Sequence, residues 1–445
     1  MLVLASRCRK RCLVDPVVEP ARPESQVPDP PLFREFPFNI GLRMLAPGDI
    51  RPTHEQRERY QRFTQMGDPL ADDLVAAFRR MPAGVGRAQF EMALEQGIGA
   101  VDDPLPELVT FFAAVEARPY WVDQKKLDYA ARVAARIGMV AGFTSMSMFS
   151  LMGGYLAARA DKTLVCTGDL EAMAPRRLAE TLTWTVDVTA PGALERFAPG
   201  FTSTLRVRLM HAMVRAGMSR RADWDFDDWD QPVNQSTMAG TLMLFSLGNV
   251  VGSQALGVQF SRRDKDALYH FWRYVGFLLG VDAELLPADE ADTWRLLWLQ
   301  ADYEFRPDDD STRLGQALRA ALGPLAVGSS DHPAAQAARA VMTELLCAYS
   351  RLILGPSNAN ALELPDNKVA QVLVAGLAAT NFTLRYPMRF VPGLDRVWES
   401  LGRRNIEMFS AQALHRHRGD RTYRRHDTFG RAGTGLRRSQ AAGRS

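Results

Sequence analysis

The chain has 445 residues, 47% hydrophobic and 24% charged, with a formal net charge of +3. This composition excludes a disordered or collagen-like polymer and leaves room for a large buried core. Four cysteines in so long a chain, Cys8, Cys12, Cys166 and Cys347, exclude a disulfide framework as the source of stability.

The small net charge conceals an asymmetry. Residues 403–445 hold eleven arginines against Glu407, Asp420 and Asp427, a net of +8, so the preceding body carries −5. Such a tail suits solvation or weak contact with an anionic surface, and nothing in it specifies a nucleic acid.

Residues 1–38, rich in proline and charge, read as a flexible leader. Cys8 and Cys12 sit in a basic arm that no apolar run follows, so no export signal is recognised and a cytoplasmic protein is expected. A first helix is predicted over 53–65, Gly67 to Pro69 breaks it, and amphipathic helices follow over 71–81, 89–97 and 105–117. The last of these ends before Arg118-Pro119, as the restriction on a pre-proline residue requires. Asp123 then caps a helix that runs into Ile137 to Ala158, 22 residues without a formal charge. That length raises the question of a membrane span. Its serines, threonine and glycines favour a buried helix broken at Gly153-Gly154.

Next, Arg159, Lys162 and Thr163 stand three and four positions apart and share a helix face, where Lys162 by itself reads as a surface ammonium. Cys166 reads as a structural thiol. Residues 175–188 open on a proline suited to a first helical turn. In the helix predicted over 205–218, Val207, His211, Val214 and Met218 form one stripe flanked by Arg206, Arg208 and Arg215. An imidazole on an apolar face is either a core residue hydrogen-bonded to a carbonyl or a ligand to buried iron. Residues 222–232, with five aspartates, lack the glycine and terminal glutamate of a calcium loop and read as a connection.

A second uncharged run, 231–261, carries glycines at 240, 248, 252 and 257. Residues 261–280 are predicted to be a helix on which His270 falls off the main stripe, leaving it the rival to His211 as a ligand. Further helices are predicted over 292–302, 334–354 and 368–384, with a break over 355–366. With no period-two strand series, no internal repeat and no dinucleotide fingerprint, the chain reads as all-α.

The blocks Gly67-Asp68-Pro69-Leu70, Arg159 to Thr163, Trp184 to Gly192, RLMHAMVR around His211, the following Asn-Gln, and Trp272 to Gly280 occur in an order that resembles one family. That family is the haem-dependent oxygenases that include the latex-clearing rubber oxygenases and the mycophenolate-pathway oxygenase MpaB. The resemblance spans about Gly67 to Phe305. It implies a single helical body over 39–395 with a globin-like core, followed by a tail over 396–445. It also implies a b-type haem with His211 as its iron ligand, and Arg159, Arg208 and Arg215 beside the cofactor. Arg159, Lys162 and Thr163 become catalytic candidates, with Lys162 on the distal side, its pKa lowered by burial, and the partners become dioxygen and an apolar, isoprenoid-like substrate.

No CxxCH motif indicates covalent haem attachment, and no paired ExxH motifs indicate a di-iron bundle. One departure concerns chemistry. The rubber oxygenases carry a glutamate upstream of the RxxKT arginine, whereas Gly142-Phe143-Thr144-Ser145 contains no acid. Two further readings stay open: a non-catalytic haem or gas-binding protein, and a cofactor-free helical scaffold docking through its basic tail.

Overall fold

The structure is a computed structural model and describes residues 30–420, apart from 35, 167–169, 329, 389 and 418. Among the described residues every regular element is helical. Numbered in chain order, the core helices are α1 (Pro69–Phe78), α2 (Gln124–Ile137), α3 (Ala158–Cys166), α4 (Leu170–Val188), α5 (Pro199–Met218) and α6 (Arg262–Leu278). They are followed by α7 (Glu290–Tyr303), α8 (Asp309–Val327), α9 (Pro333–Leu354), α10 (Lys368–Met388) and α11 (Leu394–Arg416).

Local chemistry sets the helix starts. Asp68 caps α1 by accepting from the Ala71 N–H, with Pro69 at the first position where a missing N–H costs nothing. Asp123 caps α2 in the same way, and Ser261 with Asp264 forms a capping box at α6. α5 lies centrally and packs on α1, α4 and α6, while α11 packs across α2 and α4. One apolar cluster surrounds α1, α5 and α6, and a second joins Met148, Met152 and Leu156 to Leu318 and Tyr349.

The two uncharged runs become partners. Each contains a π turn, Met146–Leu151 in one and Leu244–Gly248 in the other. Ser150 Oγ donates to the Leu244 carbonyl at 2.8 Å, and Ser145 Oγ donates to the Asn249 carbonyl at 3.1 Å. A Cβ at Gly248 would lie 2.6 Å from Ser150 Oγ, so glycine is required for this approach. The first run breaks at Gly138, at φ +83°, where the chain bends by 95°. The expected break at Gly153-Gly154 is also present: the helical run ends at Gly154, and α3 starts only at Ala158. No described helix is long and apolar enough by itself to cross a membrane.

Four of the blocks that carried the resemblance meet in one knot. Arg208 Nε and Nη2 donate to Asp68 at 2.6 and 2.8 Å, a bidentate pair with both side chains buried. Arg215 reaches Asp72 at 2.8 Å and the Val233 carbonyl at 2.7 Å. Gln235 donates to the carbonyls of Gly67 and Gly280 at 2.8 and 2.9 Å and accepts from the Asp282 N–H at 2.8 Å. A Cβ at Gly280, where φ is +81°, would strike Asp68 and Arg208. A Cβ at Gly67 would strike Asp72 and Arg215, so each glycine is fixed by the ion pair beside it.

Both termini differ from expectation. Leu32 and Phe33 are buried, so the packed chain begins ahead of residue 39. Residues 396–416 are not tail: they belong to α11, whose buried positions are Gly402, Ser410 and Ala413. Small residues mark that inward face, and they carry no apolar period for a sequence reading to find. The aspartate-rich connection contains a short helix, Phe226–Trp229, capped by Asp225.

Asp68→Ala leaves the buried Arg208 without its carboxylate and is expected to cost about 3–5 kcal/mol in urea unfolding. Arg80→Ala, which removes an exposed pair with Glu107, is expected to cost under about 1 kcal/mol. Equal effects would refute the knot as the principal clamp.

Candidate functional site

His211 sits in the middle of α5 and lines a cavity of about 570 Å³ together with Val207, Met210 and Val214. That volume lies within the range of sites that enclose a sizeable organic molecule. Trp184, Phe245 and Trp272 form one wall, their ring centroids 5.2 to 6.0 Å apart. Trp184 is oriented by its indole N–H, which donates to Thr204 Oγ1 at 3.2 Å. Opposed π-turn residues, among them Ser150, Leu151 and Leu244, form another part of the lining, together with Gly154 and Gly240.

The donor set decides what kind of metal centre fits. Among the described residues no three His, Cys, Asp or Glu side chains gather as a cage for a bare ion. His211 is the one imidazole among the residues lining the cavity. A macrocycle that brings its own nitrogen donors and asks the protein for an axial ligand suits this arrangement, and the apolar walls suit its faces. The rival is turned away: His270 Nε2 accepts from the Asp123 N–H at 3.0 Å and its ring stands edge-on to Trp121. Burial, with Lys126 nearby, pushes its pKa down.

Of the other candidates, the structure brings only Thr163 to the cavity. Arg208 and Arg215 do not line it: they project roughly a quarter turn of α5 away from the cavity stripe and are engaged by Asp68 and Asp72. Their role is to hold α5, which corrects the expectation that they flank a cofactor. Arg159 lies 3.6 Å from Asp230, with its guanidinium 5.1 Å from the Tyr303 ring centroid, and does not line the cavity either. Lys162 Nζ donates to Asp308 and Asp310, each at 2.6 Å, and lies 5.8 Å from the Trp229 ring centroid. Burial opposes its charge, but the two carboxylates outweigh burial and raise its pKa. The expectation of a lowered pKa is therefore corrected: the side chain is a charged clamp between α3 and the start of α8.

The acid absent from Gly142 to Ser145 has a counterpart elsewhere. Asp161, two residues after Arg159, is 5% exposed and lines the cavity. Its Oδ2 is buried with no hydrogen-bond partner. Burial, then the negative charges of Asp308 and Glu304, raise its pKa well above the usual carboxylate range. Nearby Glu304 is also buried, accepts from Ser236 Oγ at 3.4 Å, and has its pKa raised to about 7 by burial and by Asp230. Sequence reading missed Asp161 because attention went to the flanking Arg, Lys and Thr. The signal was present: Ala157, Ala158, Asp161 and Leu164 recur at helical spacing, so the acid stands on the apolar face of α3.

Residues 131–381 match the family model described as the catalytic domain of ER-bound oxygenase mpaB/B' and rubber oxygenase. Among solved structures the chain is similar to latex clearing protein in its closed state, with 18% sequence identity and a TM-score of 0.54. That likeness covers 78% of this chain and 91% of the other, and concerns the fold. No curated protein sequence matches.

The two buried acids make stability depend on pH in a defined direction. Because folding raises the Glu304 pKa from 4.5 to about 7, the native state binds more protons than the unfolded chain between those values. The stability contributed by the protonated form is complete below about pH 4.5 and is lost as pH rises through 7. Glu304→Gln should remove this loss and gain about 2–3 kcal/mol over wild type at pH 8, with little difference at pH 4.5. Parallel stability curves for the two proteins from pH 4.5 to 8 would contradict a raised Glu304.

Proposed function

The chain belongs to the family of the mpaB/B' and rubber oxygenase catalytic domain, and from that premise we propose that it is a b-type haem-dependent oxygenase acting with dioxygen on an apolar, isoprenoid-like small molecule. The observation that carries the reading is His211, presented by a rigid helix into a largely apolar cavity of about 570 Å³. His211 would hold the iron. Haem, when bound, supplies the redox-active centre that lets dioxygen react with an otherwise inert hydrocarbon.

The chain's own residues supply position, dryness and a proton. α5 is held by two arginine clamps, so the imidazole stays in place while the cavity fills. Trp184, Phe245 and Trp272 exclude water and give an apolar substrate a surface to lie against. Thr163 brings a hydroxyl to the cavity, and burial favours the protonated form of Asp161 beside it. A protonated carboxyl there can donate a hydrogen bond to a substrate oxygen atom without placing a charge in an apolar chamber. Lys162 acts one layer behind, holding α3 against α8 and so fixing Asp161 and Thr163.

Protein from haem-supplemented cells should show a strong Soret band, which His211→Ala should lose while keeping the helical circular-dichroism spectrum. A colourless wild type after haem reconstitution would remove haem from the account. With haem loading intact, Asp161→Leu is expected to lower turnover of an accepted isoprenoid by about 10²–10⁴-fold. Asp161→Asn, which keeps a donor, should recover part of that loss, and unchanged turnover in Asp161→Leu would exclude Asp161 from the chemistry.

A further inference from the structure

α10 is apolar on the wrong side. From Val369 to Leu384 it contains no formal charge, yet only Ala370 and Val374 are fully buried against the protein. Val369, Val372, Leu373, Leu377 and Leu384 all face outward, with Val372 72% and Leu377 62% exposed. Val369, Leu373, Leu377 and Leu384 recur at steps of four, four and seven, with Val372 beside them, so they form one stripe along the helix. The surface continues beyond the helix end: Tyr386 lies between Phe382 and Phe390, with ring centroids 5.9 and 5.8 Å away. A helix that is hydrophobic all round belongs in an apolar environment, and a contiguous exposed patch of this kind marks an interaction surface.

The helix is firmly placed. Asn381 Nδ2 donates to the Leu256 carbonyl at 2.6 Å, and Arg385 donates to the carbonyls of Arg136 and Ile137 at 3.2 and 3.3 Å. Gly257, at φ +83°, admits the α10 backbone where a Cβ would collide with it. The outward stripe is thus presented rigidly.

Charge identifies the occupant. Residues 368–445 carry fifteen Lys and Arg against five Asp and Glu, a net of +10, whereas residues 1–367 carry −7. The excess positive charge lies wholly in the segment that bears the apolar stripe, and seven arginines against Asp427 alone follow Asp420. An apolar helix face joined to a cationic segment is the pair of signals that holds a protein on an anionic lipid surface. A second copy docking face to face through the same segment would set like charges against each other.

We propose that α10 docks this protein on an anionic lipid bilayer, its Val372 and Leu377 stripe entering the acyl boundary while the net positive charge of residues 368–445 draws it to the anionic surface. The docking stands apart from the oxygenase reading but would serve it. Arg385 is anchored on Arg136 and Ile137, and Ile137 lines the cavity together with Gly402 and Ile406 of α11. Apolar molecules dissolved in a bilayer would thereby be held next to the cavity wall.

The test is co-flotation of the full-length protein with phosphatidylcholine vesicles, with and without phosphatidylserine, beside the variant V372E/L377E. Wild type should float with the phosphatidylserine vesicles and release as salt is raised. The variant should bind about tenfold more weakly or worse, with an unchanged melting curve. Should the glutamates impair folding, V372S/L377S replaces them with the same expectation. Absence of wild-type flotation, or equal flotation of wild type and variant, would overturn the proposal. A wild-type dimer by light scattering that the variant converts to monomer would also overturn it, since the stripe then belongs to a second copy.

Discussion

The buried pair between Arg208 and Asp68 is the constraint to which much of the rest answers. Two opposite charges removed from water are tolerated only when their hydrogen-bonding capacity is met. Here the requirement reaches into four distant segments. Asp68 caps α1 while it receives both guanidinium bonds, Gly280 turns with a positive φ to make room, and Gln235 joins the Gly67 and Gly280 loops. α5 is held from one side by this knot, and that frees its adjacent stripe to face a cavity without the helix collapsing into it. Rigidity on one face is what permits emptiness on the other.

The cavity applies the same desolvation logic with the opposite outcome. Around Arg208 burial is matched by partners. At Asp161 burial is unmatched and favours the neutral acid, while next to it Asp308 and Asp310 favour the charged form of Lys162. Adjacent residues of one short helix are therefore driven in opposite directions with respect to charge, although both shifts favour the protonated form. Their directions differ by about 100° around the helix, which is enough to point one into an apolar chamber and the other at two carboxylates.

Much of the fold was legible in the sequence. The all-α class, the capped starts at Asp123 and Ser261, and the stripe containing His211 all follow from period and capping chemistry. Family membership was legible in the short blocks, but the role of several blocks was not. Arg208 and Arg215 read as cofactor neighbours because a sequence shows residues three and four positions from a histidine and does not show Asp68 and Asp72, more than a hundred positions away. α11 was hidden for a different reason: its packing face consists of Gly402, Ser410 and Ala413, and close packing through small residues leaves no hydrophobic signature. Asp161 was visible as a charge on an apolar stripe, and was passed over because its neighbours carried the motif.

The paired π turns at Met146–Leu151 and Leu244–Gly248 have a consequence for how this chain is compared with others. Each such turn holds one residue more than an α turn, so every side chain after it is rotated by roughly 100° relative to an uninterrupted helix. A homologue without the extra residue can present the same cavity lining only if its numbering slips by one at that point. Alignments drawn without a one-residue gap there would match inward side chains with outward ones. The gap, rather than any identity of residues, is the mark by which chains sharing this particular chamber can be sorted from those that share only the bundle.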